Sequence, residues 1–236
     1  MKHTWGTALR LIKSDIARYS YLQNHDRRRP FAGLRAFVLC QGLQASIVYR
    51  IGQKIYHPTS SRYLRYLGFV PYFLAQRWME STTGISLNPR ADIGKGLYIG
   101  HFGNIIVGKV QMGDNCNISH EVTLGRGVAN GENGVPTLGD RVWIGPGAKI
   151  TGPIHLGDDS VVGSNAVVLK SVPARGLAVG IPARIKPNRG SFDIVLYEGM
   201  EADVSRRTSW EMLNDLDVES TGMLDIDFEH AHDVRI

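Results

Sequence analysis

The sequence predicts a parallel β-helix, a solenoid of short flat faces, preceded by an α-helical region. From position 138 to position 168 every sixth residue is aliphatic, and glycine follows four of these residues, at 139, 145, 157 and 163. A period of six fits neither the 3.6 residues of a helical turn nor the alternation of a single strand. We therefore expect coils of three faces, each placing one aliphatic side chain in a shared interior. The series is Leu138, Ile144, Ile150, Leu156, Val162 and Val168, with Ile93, Ile99, Met112, Ile118 and Leu124 upstream.

The glycines and two irregularities refine this prediction. Glycine suits the corners of a coil, where the backbone needs a positive φ or close approach to a neighbour. The period slips by one residue near positions 104–107, and residues 125–137 form an inserted loop with four glycines. Loops that interrupt a solenoid usually cluster on its binding face, so we expect the inserted loop near a functional site.

The N-terminal region has helical periodicity. Apolar side chains at three- and four-residue steps predict helices over about residues 4–21, 32–56 and 60–81, and Pro71 should kink or interrupt the third. The third helix combines Arg62, Arg65 and Arg77 with many aromatic side chains. This helix could pack against other helices or subunits, or it could contact a membrane surface peripherally.

Composition and charge exclude several classes of protein. Residues 1–80 hold 13 basic and 3 acidic side chains, whereas residues 191–236 hold 3 basic and 12 acidic ones, within a net charge of +5. No nucleic-acid-binding motif accompanies the basic region, so we expect no nucleic-acid partner. The sequence has no signal peptide and no long apolar run, and Cys40 and Cys116 are its only cysteines. We therefore expect the chain in the cytoplasm. If the third helix binds lipid, we expect it at the inner face of the membrane. The last residues, 192–236, are expected to form a loosely docked or partly disordered tail.

Five segments resemble the serine acetyltransferase branch of the hexapeptide-repeat acyltransferases: residues 88–94, 98–103, 122–125, 144–150 and 180–184. Upstream, residues 14–17 and 49–52 are similar to parts of that family's helical domain. The resemblance implies a left-handed β-helix, acetyl-CoA as donor with no metal, and a homotrimer or a dimer of trimers with active sites between neighbouring coils. It divides the chain into a helical domain (1–83), an acetyltransferase domain (84–186) and an acidic tail (187–236).

Acetyl transfer from a thioester to a hydroxyl needs a base, and imidazole has a suitable pKa. His101 stands where the resembling enzymes have their general base; without the resemblance it would be read as a surface histidine. His120 would hydrogen-bond the acceptor or the oxyanion, or only pack at a subunit boundary. Some exopolysaccharide acetyltransferases resemble this chain in having a histidine there.

The resemblance also assigns the donor side of the site. It places the pantetheine arm along the β-helix, held mainly by backbone amides, with the nucleotide beyond it. Lys170 and Arg184 would pair with phosphate, or would be solvated charges at a corner. The assigned positions are Pro146, Ala148, Ser164, Lys170 and Arg184.

The acceptor side departs from the resembling enzymes. Ser86 replaces a carboxylate that orients the base, Asn88 replaces a histidine, and Gly134 and Val135 replace an Arg-His pair that reads the carboxylate of serine. Losing that cation would forfeit a charge-assisted hydrogen bond of roughly 1.5–3 kcal/mol. The first hypothesis is therefore an O-acetyltransferase for a sugar or glycan hydroxyl in polysaccharide biosynthesis.

Two further hypotheses remain open. One is a divergent serine acetyltransferase that reads serine through Asp26, Arg27 or Arg126, and the other is an inactive β-helix that only binds a partner. The final residue, Ile236, also resembles the terminal isoleucine that serine acetyltransferases of cysteine synthesis dock into a pyridoxal-phosphate sulfhydrylase.

Overall fold

The computed structural model describes residues 5–23, 31–57, 61–129, 131–187 and 190–219. The expectations for Asp26, Arg27 and Ile236 lie outside these residues. The chain divides into two compact units, residues 1–199 and residues 200–236. The three-domain division proposed from the sequence remains a prediction.

In the described part of the first unit, four helices are followed by seventeen short strands. The helices are α1 (Trp5–Gln23), α2 (Ala32–Leu39), α3 (Gln41–Tyr56) and α4 (Arg62–Thr83). The strands are β1 (Ile85–Leu87), β2 (Asp92–Ile93), β3 (Tyr98–Ile99), β4 (Ile105–Val107), β5 (Gln111–Met112), β6 (Asn117–Ile118), β7 (Thr123–Gly125), β8 (Gly127–Ala129), β9 (Glu132–Gly134), β10 (Thr137–Leu138), β11 (Trp143–Ile144), β12 (Lys149–Thr151), β13 (His155–Leu156), β14 (Val161–Val162), β15 (Val167–Val168), β16 (Leu177–Val179) and β17 (Arg184–Lys186).

The strands form a β-solenoid of about five turns with three sheets, as the six-residue period predicts. The first sheet has the order β1-β4-β7-β12-β15, the second β13-β10-β5-β2, and the third β17-β16-β14-β11-β6-β3. All pairs in these sheets are parallel except β16 with β17. The six residues of the predicted series are at most 5% exposed, and aliphatic partners stack in register, for instance Ile144 between Ile118 and Val162.

The repeat glycines serve close approach rather than a positive φ. The corner positions with a positive φ include Asn115, Arg141, Asp159 and Asn165 (φ 56–58°), whereas Gly139, Gly145, Gly157 and Gly163 are not among the positive-φ glycines. A Cβ atom on Gly139 would collide with the carboxylate of Asp158, which accepts a hydrogen bond from the Asp140 N–H at 2.8 Å. The same relation joins Gly94 to Asp114 and Gly113 to Asp140. Of the two roles expected for these glycines, only close approach is correct.

The prediction of one helix over residues 32–56 is wrong in detail, and of the two effects expected of Pro71 the interruption does not occur. The helix expected over residues 32–56 is two helices, because Cys40 is extended (φ −106°, ψ 102°). The break lets α3 begin directly against the solenoid, where a Cβ atom on Gly42 would collide with the Ile99 carbonyl oxygen. The third predicted helix, α4, continues through Pro71, which lies on its exposed side. Proline therefore does not interrupt it.

A buried ion pair fastens α1 and α3 to the first coil. Arg50 Nε lies 3.0 Å from Asp15 Oδ2, and both side chains are fully buried. Arg50 also donates to the carbonyls of Ile93 and Gly94, both at 2.6 Å. Asp15 Oδ1 accepts a hydrogen bond from the Leu97 N–H at 2.9 Å. The two helical segments that resemble the family's helical domain thus meet in one contact.

Much of the surface of α4 is apolar. Its buried side chains, Tyr72, Met79 and Thr83, form one stripe. Outside this stripe lie eight large apolar side chains that are 43–81% exposed. We call them the outer surface of α4: Tyr63, Tyr66, Leu67, Phe69, Val70, Phe73, Leu74 and Trp78. Among the described residues, no helix combines the length and the hydrophobicity that crossing a lipid bilayer requires.

The segment after the solenoid is more ordered than the sequence predicts. Phe192, Val195 and Tyr197 are buried, and Ser191 Oγ donates to the Arg141 carbonyl at 2.5 Å. The tail prediction is therefore wrong for residues 192–197, which are a packed part of the first unit. The second unit contains a 3₁₀ turn (Met200–Ala202) and a helix, α5 (Val204–Glu219).

Candidate active site

The structure brings His101 and His120 together. His101 lies between β3 and β4 and His120 between β6 and β7, so both occupy the corner between the third and first sheets in consecutive coils. Their ring centroids are 5.6 Å apart, with an angle of 77° between the ring planes. His101 is exposed and His120 is half-buried. Two imidazoles are therefore presented side by side at one edge of the solenoid.

Backbone hydrogen bonds between coils fix this corner. The Gly103 N–H donates to the Thr83 carbonyl at 2.8 Å, and the Glu121 N–H donates to the Gly103 carbonyl at 2.8 Å. Above them, the Gly147 N–H donates to the His120 carbonyl at 3.0 Å. Because each turn is tied to the turn below and above it, the two histidines are held on a rigid part of the fold, which suits a catalytic pair.

His120 has an unused polar atom. Its Nδ1 is buried and has no hydrogen-bond partner among the described residues. Most buried polar groups in native proteins are paired, so an unpaired one calls for an explanation such as a catalytic role. An imidazole nitrogen can donate or accept, depending on its tautomer, so Nδ1 retains an unused capacity for one hydrogen bond.

The predicted donor-side residues Pro146 and Ser164 share the corner of the histidines. Pro146 lies one coil above His120, and the Asn165 N–H, next to Ser164, donates to the Pro146 carbonyl at 2.8 Å. His101, His120, Pro146 and Ser164 therefore form one column. Neighbouring strands are about 4.8 Å apart, so three coils separate His101 from Ser164 by about 14 Å. This edge can receive an extended molecule that reaches the histidines with one end.

Ala148 belongs to the same corner segment as Pro146, whereas Lys170 and Arg184 lie elsewhere. Ala148 is fully buried and leaves only its backbone for a ligand. Lys170 is exposed and follows β15, so it lies at the corner between the first and second sheets, away from the column. Arg184 is exposed at the start of β17, beyond the last turn of the column. The geometry thus groups Pro146 and Ser164 with the histidines and separates Lys170 from them.

A carboxylate lies beside Ser86, although position 86 itself carries no acidic residue in this sequence. Glu80, near the end of α4, accepts a hydrogen bond from Ser86 Oγ at 2.8 Å and from Gln76 Nε2 at 3.0 Å. A pocket of about 480 Å³ opens here, lined by these residues together with Asn88 and Arg90, among others. Neither histidine lines the pocket. Sequence reasoning missed Glu80 because it belongs to a helix and follows no repeat.

The inserted loop is a β-hairpin that packs on the solenoid. Strands β8 and β9 pair antiparallel, and Ala129 is buried. Gly134 is tightly packed, since a Cβ atom there would lie 2.7 Å from Pro153 Cβ. Arg126 donates to Asn133 Oδ1 at 3.4 Å within the hairpin. The position where the resembling enzymes carry a serine-reading arginine therefore has no room for a long side chain.

The described cysteines are poor nucleophiles. Cys116 is fully buried, and burial raises the pKa of its thiol to about 12. Burial also raises the pKa of the Cys40 thiol. Because the thiolate is the reactive form, neither competes with the histidines for a catalytic role. Among the described residues, no group of three or more His, Cys, Asp or Glu side chains is positioned to bind a metal ion.

Comparison with known proteins agrees with this fold. Residues 136–170 match the bacterial transferase hexapeptide (six repeats) family model. A serine acetyltransferase from Helicobacter pylori (strain 26695) is 38% identical over 149 residues, which are 62% of this chain and 82% of that protein. The chain belongs to the serine acetyltransferase family. The resemblance drawn from the sequence is thereby confirmed.

Further relatives show how far the likeness to this family extends. A serine acetyltransferase from Mycobacterium tuberculosis is 44% identical over 112 residues, 47% of this chain, and the match spans about half (49%) of that protein. A serine acetyltransferase from Brucella abortus, solved in complex with coenzyme A, superposes with a TM-score of 0.61 at 28% identity. The superposed residues make up 77% of this chain and 68% of that structure.

Proposed function

We propose that this protein is an acetyl-CoA-dependent O-acetyltransferase with His101 as its general base. The observation that carries the proposal is the His101–His120 pair at the end of a column with Pro146 and Ser164. The coenzyme A complex of the Brucella abortus relative supports a coenzyme A donor. The same column gives a reason to prefer an enzyme to an inactive scaffold, since mere binding does not require an imidazole with an unpaired buried nitrogen.

The proposed reaction divides its tasks between the two histidines. His101 takes the proton of the acceptor hydroxyl as the hydroxyl oxygen attacks the carbonyl carbon of the thioester. His120 donates a hydrogen bond to the oxyanion that forms on that carbonyl. When the C–S bond breaks, the His101 imidazolium returns its proton to the departing thiolate, which leaves as the free thiol. The base is thus regenerated in each turnover.

For the acceptor we propose L-serine as the first candidate. The relatives that match this chain are named serine acetyltransferases, which favours serine over the glycan hydroxyl expected from the sequence. The carboxylate of Glu80 lies beside Ser86, next to the position where the family has its base-orienting carboxylate, and it does not distinguish between the two acceptors. We also propose a homotrimer as the working assembly, as the family resemblance implies.

A neutral sugar or glycan hydroxyl is the second candidate, favoured by the hairpin. Gly134 is packed against Pro153 and Val135 is apolar, so neither provides the cation that a free carboxylate needs. The hairpin instead offers backbone and amide groups, which suit an acceptor bound through many hydrogen bonds. The two candidates differ in charge and can be separated directly.

The experiment is a measurement of free thiol release from acetyl-CoA with L-serine or a panel of neutral sugars and glycans at equal concentration. His101→Ala serves as the blank that corrects for release outside this site. A kcat/KM for L-serine above about 10⁴ M⁻¹s⁻¹, the ordinary enzyme range, with inert glycans establishes the serine enzyme. The reverse pattern establishes the glycan enzyme. Thiol release no faster than without enzyme, for every acceptor tested, would refute the acetyltransferase itself.

A further inference from the structure

The outer surface of α4 is unusual in size and composition. Its eight exposed apolar side chains lie on one helix of 22 residues, with Tyr63 and Leu67 exposed by about four-fifths (81% and 78%). Extensive apolar surface of this kind marks an interaction site in a soluble fold. Single exposed apolar residues are ordinary, but this surface is continuous along the helix, from residue 63 to residue 78.

The charges on α4 identify the kind of partner. Arg62, Arg65 and Arg77 are exposed beside the apolar side chains. The single acidic side chain of α4, Glu80, is already bound by Ser86, Gln76 and Arg77. Beyond Glu80, α4 therefore has no acidic side chain that could neutralise its arginines. The wider basic region, with 13 basic and 3 acidic side chains in residues 1–80, adds to the same sign of charge.

The aromatic side chains of α4 are suited to a boundary between water and hydrocarbon. Arg62 lies over the Tyr66 ring at 5.9 Å and Arg77 over the Phe73 ring at 5.5 Å. Tyrosine and tryptophan present an apolar body with a polar tip, and arginine extends its stem along apolar surface while its head stays hydrated. Helices with apolar and aromatic side chains beside basic ones bind in the plane of a bilayer surface.

We propose that the outer surface of α4 binds the surface of an anionic lipid bilayer. A second copy of this chain is a poorer occupant, because a two-fold contact through the same surface would set the arginines of one copy against those of the other. An anionic bilayer supplies the opposite charge and a layer of suitable polarity for the tyrosines and Trp78.

The short helix α2 has a surface of the same kind. Only Ala36 of α2 is buried, whereas Leu34, Phe37, Val38 and Leu39 are exposed. Arg35 is the one charged residue within α2 and is also exposed. The apolar and basic composition thus occurs in two helices of the N-terminal region. The proposal does not depend on which hydroxyl the enzyme acetylates.

The test is co-sedimentation of the full chain with vesicles of phosphatidylcholine alone or mixed with phosphatidylglycerol. We expect binding to the anionic vesicles only, weakened at high salt because salt screens exposed charges. Arg62→Gln/Arg65→Gln should lower the affinity about tenfold or more. The matched control, Lys95→Gln/Lys109→Gln, makes the same charge change on exposed residues of the solenoid and should bind like the wild type.

A second variant separates lipid binding from self-association. Leu67→Gln/Leu74→Gln changes only exposed side chains and should abolish vesicle binding while leaving the molar mass from light scattering unchanged. The proposal is overturned if neutral and anionic vesicles bind equally, if neither binds, or if the lysine control loses as much affinity as the arginine variant. It is also overturned if Leu67→Gln/Leu74→Gln breaks an assembly that does not bind vesicles, since the surface is then a contact between copies.

Discussion

Replacing Arg50 by methionine should strongly destabilise the first unit. The substitution removes a guanidinium that contacts Asp15 at 3.0 and 3.2 Å and donates to the carbonyls of Ile93 and Gly94. Asp15 is then a fully buried carboxylate that has lost its ion-pair partner, and its remaining hydrogen bonds among the described residues come from the Ser46 hydroxyl at 2.5 Å and the Leu97 N–H at 2.9 Å. Removing one partner of a buried pair costs about 3–5 kcal/mol. For a chain of this size that corresponds to a fall in Tm of about 6–20 °C.

The assay is thermal and urea unfolding followed by circular dichroism at one fixed protein concentration, because assembly would otherwise shift the transition. The control is Lys95→Met, which breaks the exposed pair between Lys95 and Asp114 and should cost less than about 1 kcal/mol. The double variant Asp15→Leu/Arg50→Met removes the uncompensated charge and should be more stable than Arg50→Met alone. If Arg50→Met costs no more than Lys95→Met, the buried pair does not fasten the helices to the solenoid.

Three further predictions concern the site and the solenoid. His101→Ala should lower kcat by roughly 10²–10⁴ with little change in the KM for acetyl-CoA, and near-normal turnover would remove His101 from the mechanism. His120→Ala should lower kcat by about tenfold to a hundredfold in the same thiol-release assay, and no effect would leave it a packing residue. Gly139→Ala should cost about 1–3 kcal/mol in urea unfolding, since its Cβ would lie 2.8 Å from the Asp158 nitrogen. Gly125→Ala is its control and should be nearly neutral, because its nearest neighbour would lie at 3.8 Å; equal costs would refute the close-approach role.

The solenoid was predictable because its repeat is short and recurs many times, with only a slip near 104–107 and the inserted loop interrupting it. The aliphatic series from Leu138 to Val168 is buried in the structure as the six-residue period requires. The backbone conformation of the glycines was not predictable, because a glycine can serve either a positive φ or a tight contact and the sequence does not distinguish them. The break at Cys40 was equally hidden, since it depends on the contact of Gly42 with Ile99, which is distant in sequence.

The column that contains the histidines could be predicted from the sequence, whereas the positions of Glu80 and Gly134 could not, and the reason is physical. His101, His120, Pro146 and Ser164 form a column because a solenoid returns to the same corner once per coil, so regular spacing in sequence becomes adjacency in space. Glu80 comes from a helix, and Gly134 from an inserted hairpin; neither has a position that any period fixes.

If the proposed function is correct, the irregular elements are the part of the fold that would set acceptor specificity. The regular coils can be shared by enzymes with one donor and different acceptors, since a change in the hairpin leaves the column intact. Gly134 shows how such a change is constrained: its contact with Pro153 brings the hairpin close to the coil and at the same time excludes an arginine from that position. A carboxylate-bearing acceptor would then require a cation from elsewhere. Arg126, which lies in the same hairpin next to Gly127, the pairing partner of Gly134, is one described candidate.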